Sequence, residues 1–157
     1  LFGPAVVIDV SREAAENADY AATLEDLQRW ESDHGDIPSG AIVLIRSGWA
    51  QRWRQGDTYY NVDAEGQLHF PGFGEEAATF LVNERDIAGI GVDTGSVDPG
   101  NTAGFPVHGI VNGSGRYHLE NLADLSALPE SGSYLVVAPI KIQGGSGGQA
   151  RVFAVIP

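Results

Sequence analysis

This sequence predicts an α/β fold with a mixed sheet flanked by helices, and three observations carry the prediction. Short apolar runs rich in β-branched residues recur at Ala5–Val10, Ala41–Ile45 and Ile87–Val92, the pattern of strands buried on both faces. Helical patterns lie between them, which makes the connections crossovers. The chain closes on two further runs, Tyr134–Ile142 and Ala150–Ile156, joined by Gly144-Gly-Ser-Gly-Gly148 as a flexible hairpin connection.

The elements follow in order. Ala5–Val10 is a buried strand that begins almost at the terminus. Thr23-Leu-Glu-Asp26 resembles a capping box and opens a helix to about Ser32, with Leu24, Leu27 and Trp30 as its inner stripe. Pro38 and the polar residues around Gly35 end it, leaving His34 as a solvated histidine near the negative end of the helix dipole. Ala41–Ile45 is the second strand and runs into Arg46-Ser-Gly-Trp49, where Arg46 is expected in a structural ion pair. The stretch from Trp49 to Phe70 places aromatics among polar residues and reads as a lid or pocket wall, or as a satellite cluster under a loop.

Gly74–Arg85 is a second helix with Ala77, Phe80 and Leu81 on one face. The third strand ends in Asp93-Thr-Gly-Ser-Val-Asp98-Pro-Gly, and polar residues after a buried strand are where α/β folds place chemistry. Asp98-Pro-Gly by itself is also good turn sequence. In Phe105–Asn121, Pro106 suits the first turn of a helix that carries His108, and Gly113 ends it. Past Gly115 the pattern alternates, which puts Arg116, His118 and Glu120 on one face of a strand. An imidazole on the helix and a carboxylate on the returning strand can then converge, and both are ligands for zinc or manganese. A short helical piece is expected near Leu122–Leu128.

Composition limits what the chain can do. At 157 residues it is read as one domain, 1–157, with no apolar run long enough for a membrane span. A net charge of −12 argues against a nucleic-acid partner, whose phosphates it would repel. The absence of cysteine removes disulfides, thiolate ligands and cysteine nucleophiles. The cytoplasm is the expected compartment. The glycine loop at 144–148 lacks the Gly-Lys-Ser/Thr ending of a phosphate loop and opens no helix.

Several pieces, taken in order, resemble the cyclase family of metal-dependent amidohydrolases that includes kynurenine formamidase and isatin hydrolase. They are Ala5-Val-Val-Ile-Asp9-Val, Ile42-Val-Leu-Ile-Arg46-Ser-Gly-Trp49, Phe70-Pro-Gly-Phe73, Gly91-Val-Asp93-Thr, Ser96-Val-Asp98, Phe105-Pro-Val-His108, Leu119-Glu120-Asn-Leu122 and Ala138-Pro-Ile-Lys-Ile142. The resemblance implies a swivelling β/β/α fold, assembled into homodimers or homotetramers. It implies zinc or manganese held in part by His108 and Glu120, with Trp49, Phe105 and Asp98 against the substrate. That substrate is implied to be a small-molecule amide or lactam, cyclic or formylated and aromatic, cleaved at a C–N bond. His118 is expected to be a polar neighbour of the metal ligands.

The family signature His-x-Gly-Thr-His-x-Asp-x-Pro-x-His, which provides further ligands and the proton-transferring histidine, has no match in these residues. The chain also contains no methionine, and the expectation is a family member truncated at its N terminus. No catalytic residue is therefore assigned within the chain, and metal occupancy is expected to suffer from the missing ligands. The alternative is a reduced homologue without catalysis, acting as a small-molecule binding or structural protein.

Overall fold

A computed structural model describes residues 1–157, and its central sheet follows the expected alternation. Strand β1 (Phe2–Asp9) is followed by a short helix α1 (Ser11–Glu16), a two-residue strand β2 (Ala21–Ala22) and helix α2 (Leu24–His34). Strand β3 (Ile42–Arg46) leads through a 3-10 turn (Trp49–Arg52) and helix α3 (Asp57–Tyr60) to strand β4 (Gly72–Phe73) and helix α4 (Glu75–Glu84). Strand β5 (Gly89–Val92), helix α5 (Pro106–Gly113) and strand β6 (Tyr117–Leu119) come next, and strands β7 (Ser133–Pro139) and β8 (Ala150–Val155) finish the chain.

Six strands form one sheet in the order β6-β5-β3-β1-β7-β8, while β2 and β4 pair separately. β1, β3, β5 and β6 are parallel neighbours, and β7 and β8 are antiparallel, so the sheet is mixed as expected. Alternate residues of the parallel strands face two cores. Val6, Ile8, Val43, Ile45, Ile90 and Val92 pack under Leu27 and Trp30 of α2, Ala77, Ala78 and Leu81 of α4, and Val107 and Val111 of α5. Ala5, Val7, Ile42 and Leu44 face the other way, against Leu119, Leu122, Leu125, Leu135 and Val137. Burial on both faces explains why these strands read as unbroken apolar runs. No helix is long and apolar enough to cross a membrane.

The start of α2 is the capping box the sequence suggested. Thr23 Oγ accepts the Asp26 N–H, and the Asp26 carboxylate accepts the Thr23 N–H at 2.8 Å. Burial penalises Asp26, but these bonds with those from Tyr20 and Thr23 and the Arg29 charge hold its pKa below 3.8. In α4, Phe80 is only partly buried, under the Arg85 guanidinium, and Ala78 takes the inner position instead. The expected helix near Leu122–Leu128 does not form. Leu122 N–H is drawn to Val92 O at 3.1 Å, and Leu122 and Leu125 are buried as separate pegs in the second core, so tertiary anchoring replaces an internal helical ladder. Arg46 makes the expected ion pair, with Asp9 at 2.8 Å.

Candidate metal centre

Helix α5 begins abruptly. Phe105 precedes it in the left-handed region at φ 51°, and Pro106 occupies the first turn. No adjacent side chain caps the exposed N–H groups. Asp98, seven residues before Phe105, does so from a distance: its Oδ1 accepts Val107 N–H at 2.8 Å and its Oδ2 accepts His108 N–H at 3.2 Å. A carboxylate at a helix N-terminus satisfies orphan donors and meets the positive end of the dipole. Oδ2 also holds His108 Nδ1 at 2.6 Å, although only 1% of Asp98 is exposed.

The turn that carries Asp98 is clamped by the Phe70–Phe73 segment. Phe73 N–H donates to Val97 O at 2.8 Å and Gly100 N–H to Phe70 O at 2.8 Å. A Cβ at Gly72 would lie 2.6 Å from the backbone of residues 97–99, and one at Gly100 would lie 2.8 Å from Phe70 N. Only glycine permits so close a backbone approach. The Phe-Pro-Gly-Phe piece therefore acts on the site indirectly, by fixing the residue that aims His108.

The second side of the site comes from the carboxyl end of β6. His118 and Glu120 share a face there, as the alternation required. Glu120 Oε1 lies 3.2 Å from His108 Nε2 and 3.6 Å from His118 Nε2, and it accepts Val97 N–H at 3.3 Å. His118 Nδ1 bonds Asn112 Oδ1 at 3.1 Å, across from α5. Both imidazoles thus spend Nδ1 on an oxygen acceptor and turn Nε2 toward one carboxylate. The rings pack edge to face, with centroids 4.4 Å apart. Burial, the largest influence, holds the pKa of His118 below 6.5; the Glu120 charge opposes that shift. His118 is thereby favoured as a neutral ring with a free lone pair.

The chemistry of this donor set fits a divalent cation. One ligand atom each from His108, His118 and Glu120 lies within 4.8 Å of the others. Metal bonds of ~2.0–2.2 Å at tetrahedral angles put neighbouring donors about 3.4 Å apart, between the two nitrogen–carboxylate distances seen here. Metal-bound histidines usually donate their other ring N–H to a carboxylate or carbonyl, and Asp98 and Asn112 supply those acceptors. Two nitrogens and one oxygen suit zinc, manganese and other divalent ions alike.

The other sequence candidates are distributed unevenly. His108 and Glu120 converge. His118, expected only as a neighbour, belongs to the same cluster. Asp98, expected to face substrate, is buried and has both oxygens engaged by α5 and His108, which suits orientation of the ring. Phe105 is 60% exposed beside His108, with ring centroids 5.7 Å apart. Trp49 is 2% exposed and packs with Tyr59 and Phe70 in a satellite core, with Arg52 over its ring. His34 is exposed in the last turn of its helix, as expected, and also stacks on Trp30 and bonds its carbonyl at 3.0 Å. His69 lies between Asp19 and Asp63.

Three contributors were given no partner or role by sequence reasoning. Asn112 is unremarkable among exposed helix residues. Asp93, 1% exposed, accepts Ser47 Oγ–H at 2.6 Å and ties the ends of β3 and β5 together. Tyr59 donates its hydroxyl to Asn121 Oδ1 at 2.7 Å. Burial above all, with the Asp93 charge, pushes the Tyr59 phenol up to about 12, so it remains a donor. Buried polar residues after a strand were the one available signal, and it pointed to Asp93 without naming its partner.

Comparison with known proteins places the chain in a family. The family model described as putative cyclase matches residues 1–99. An isatin hydrolase from Roseibium aggregatum is 34% identical over 161 residues, covering 100% of this chain and 60% of its own length. The crystal structure of an isatin hydrolase bound to the product analogue thioisatinate superposes with a TM-score of 0.95 at 33% identity, over 100% of this chain and 61% of that one. A potential metal-dependent hydrolase with cyclase activity superposes with a TM-score of 0.69 at 26% identity, over 97% of this chain and 64% of that one. This chain therefore spans about three fifths of the length of these relatives. The shared architecture is a mixed six-stranded sheet flanked by helices.

Proposed function

This chain belongs to the cyclase family, and from that premise we propose that it carries the divalent-cation half of a hydrolase acting on a C–N bond of a cyclic or formylated aromatic amide. One observation carries the reading: two imidazole Nε2 atoms and the Glu120 carboxylate converge, while Asp98 and Asn112 hold the opposite nitrogens. Its relatives include isatin hydrolases and a potential metal-dependent hydrolase, which supports a small-molecule amide as substrate. Zinc or manganese is the proposed ion.

A divalent cation bound there supplies Lewis acidity toward the amide carbonyl and acidifies water. His108 and His118 turn their Nε2 atoms toward the site, and Glu120 supplies a carboxylate oxygen between them. Asp98 fixes the His108 tautomer, so that its lone pair sits on Nε2. The Val97 N–H donates to the same Glu120 oxygen at 3.3 Å and helps hold it in place. The exposed Phe105 ring beside His108 gives a flat aromatic substrate an apolar face to lie against. Proton delivery to the leaving nitrogen has no candidate here, because His34 and His69 are tied up elsewhere. The resemblance assigns that step to the signature these residues lack. Homodimeric or homotetrameric assembly is proposed on the same family basis.

Titration of the chain with Co2+, read by its visible absorption, tests the reading. One cation per chain is expected, with binding abolished in Glu120→Gln and in His108→Ala. Isatin and N-formylated aromatic amides should turn over slowly or not at all with these residues alone. Retention of stoichiometric binding in both variants would refute the assignment.

A further inference from the structure

We infer that Tyr59 is a positioning residue of this cation site, holding the bend that aims Glu120; the inference rests on the reading above for its function and on hydrogen bonds for its geometry. Five bonds close a ring around the carboxyl ends of β3, β5 and β6. Ser47 Oγ–H donates to Asp93 Oδ1 at 2.6 Å, and Trp49 N–H donates to Ser47 Oγ at 3.3 Å. Trp49 Nε1–H donates to Tyr59 O at 2.8 Å, and Tyr59 OH donates to Asn121 Oδ1 at 2.7 Å. Asn121 N–H then returns to Thr94 O at 2.8 Å, one residue from Asp93.

Asn121 is the weak link of that ring and the reason it matters. It immediately follows Glu120 and adopts φ 55°, in the left-handed region that asparagine enters more readily than most L residues. The bend lets Glu120 point toward the imidazoles while Leu122 turns back to Val92 O. Ser47, Trp49, Tyr59, Asp93 and Thr94 are all buried, whereas Asn121 is exposed. The buried ring therefore holds an exposed residue by two bonds, one to its backbone N–H and one, from the Tyr59 phenol, to its side chain. The aromatic stretch around Trp49 acts on the site through Tyr59 even though Trp49 itself is enclosed in the satellite core.

Amide hydrogen exchange of Tyr59→Phe, which keeps the ring and removes the hydroxyl, tests the inference without any metal. Exchange at Asn121 and at Val97, whose N–H reports the Glu120 carboxylate, should quicken by roughly tenfold, the scale of one lost hydrogen bond. Core amides of β1 and β3 should keep their wild-type rates. Asn121→Ala, which leaves the aromatic cluster untouched, should reproduce the change at Val97. In Co2+ titration, Tyr59→Phe should bind several-fold more weakly, with Tm lowered by only a few degrees. Unchanged exchange at Val97 would overturn the inference, as would faster exchange spread evenly over the sheet, because that is the signature of a merely structural role. If the wild-type chain takes up no Co2+ while Val97 responds as expected, the function reading fails and the positioning role stands.

Discussion

Two imidazoles in this molecule each sit between two carboxylates, yet only one is part of a centre suited to a cation. His69 has Asp19 at 2.9 Å on Nδ1 and Asp63 at 3.1 Å on Nε2. His108 has Asp98 at 2.6 Å on Nδ1 and Glu120 at 3.2 Å on Nε2. The difference lies in the mounting and in the third group. His69 stands on an irregular segment between partly exposed acids, and its hydrogen bonds to Asp63 and Asp19 raise its pKa above 6.5. Its two carboxylate neighbours favour the charged ring. His108 stands in the first turn of α5, its Nδ1 held by a buried acid, and a second imidazole shares its carboxylate. The first arrangement brings one imidazole to two acids; the second brings two imidazoles to one carboxylate, the mixed donor set a metal accepts. Convergence from rigid elements, more than residue type, separates them.

The sharpest way to break the comparison is to remove a ligand. Glu120→Gln or His108→Ala should weaken Co2+ affinity by more than ~100-fold, whereas His69→Ala should leave it unchanged. Equal losses in a calorimetric titration would erase the distinction drawn above. Asp98→Asn comes next. It keeps an oxygen for α5 but gives up the charge that holds His108 Nδ1, and affinity should fall roughly 10- to 100-fold. Asn112→Ala, at an exposed position, should cost about two- to fivefold by the same titration, toward the low end of such outer contacts. Parity between Asp98→Asn and Asn112→Ala would show that burial of the orienting group is immaterial.

The smallest expected effect is the pH response of the His69 cluster. Its raised folded pKa makes its contribution fully present below the unfolded value of 6.5 and lost as pH rises through the folded value. Asp63 has the opposite sign: its lowered pKa contributes above 3.8, and that contribution is lost as pH falls through the folded value. Limited proteolysis of the Trp49–Phe70 stretch should therefore quicken as pH rises past 6.5, and His69→Gln should abolish that dependence. An NMR titration placing His69 below 6.5 would contradict it.

Much of the fold was legible from pattern. The runs at 5–10, 41–45 and 87–92 became β1, β3 and β5 because strands buried on both faces need uninterrupted apolar sequence. The final two runs became the antiparallel pair β7 and β8. Local signals failed where tertiary contacts outweighed them. Leu122, Leu125 and Leu128 are spaced as a helix, but each leucine packs into or against the second core separately and no helix results. The helix–turn–strand grammar of Phe105–Asn121 gave the His108–Glu120 convergence, since a period of 3.6 and a period of 2 each fix which side chains share a face. It undervalued His118, whose role depends on a ring-to-ring approach that spacing does not encode.

By itself the sequence determined the main strands and the mixed sheet, because these follow from residue chemistry and periodicity along a single chain, while its ordered motifs carried the resemblance to the family. Only the tertiary structure decided that Asp98 and Asn112 hold the far nitrogens, that His118 joins the cluster and that Tyr59 reaches Asn121. Those contacts join residues between 6 and 62 positions apart. Hydrogen bonds work only over about 3 Å, and which residues come that close is set by how helices and loops pack at the carboxyl end of the sheet.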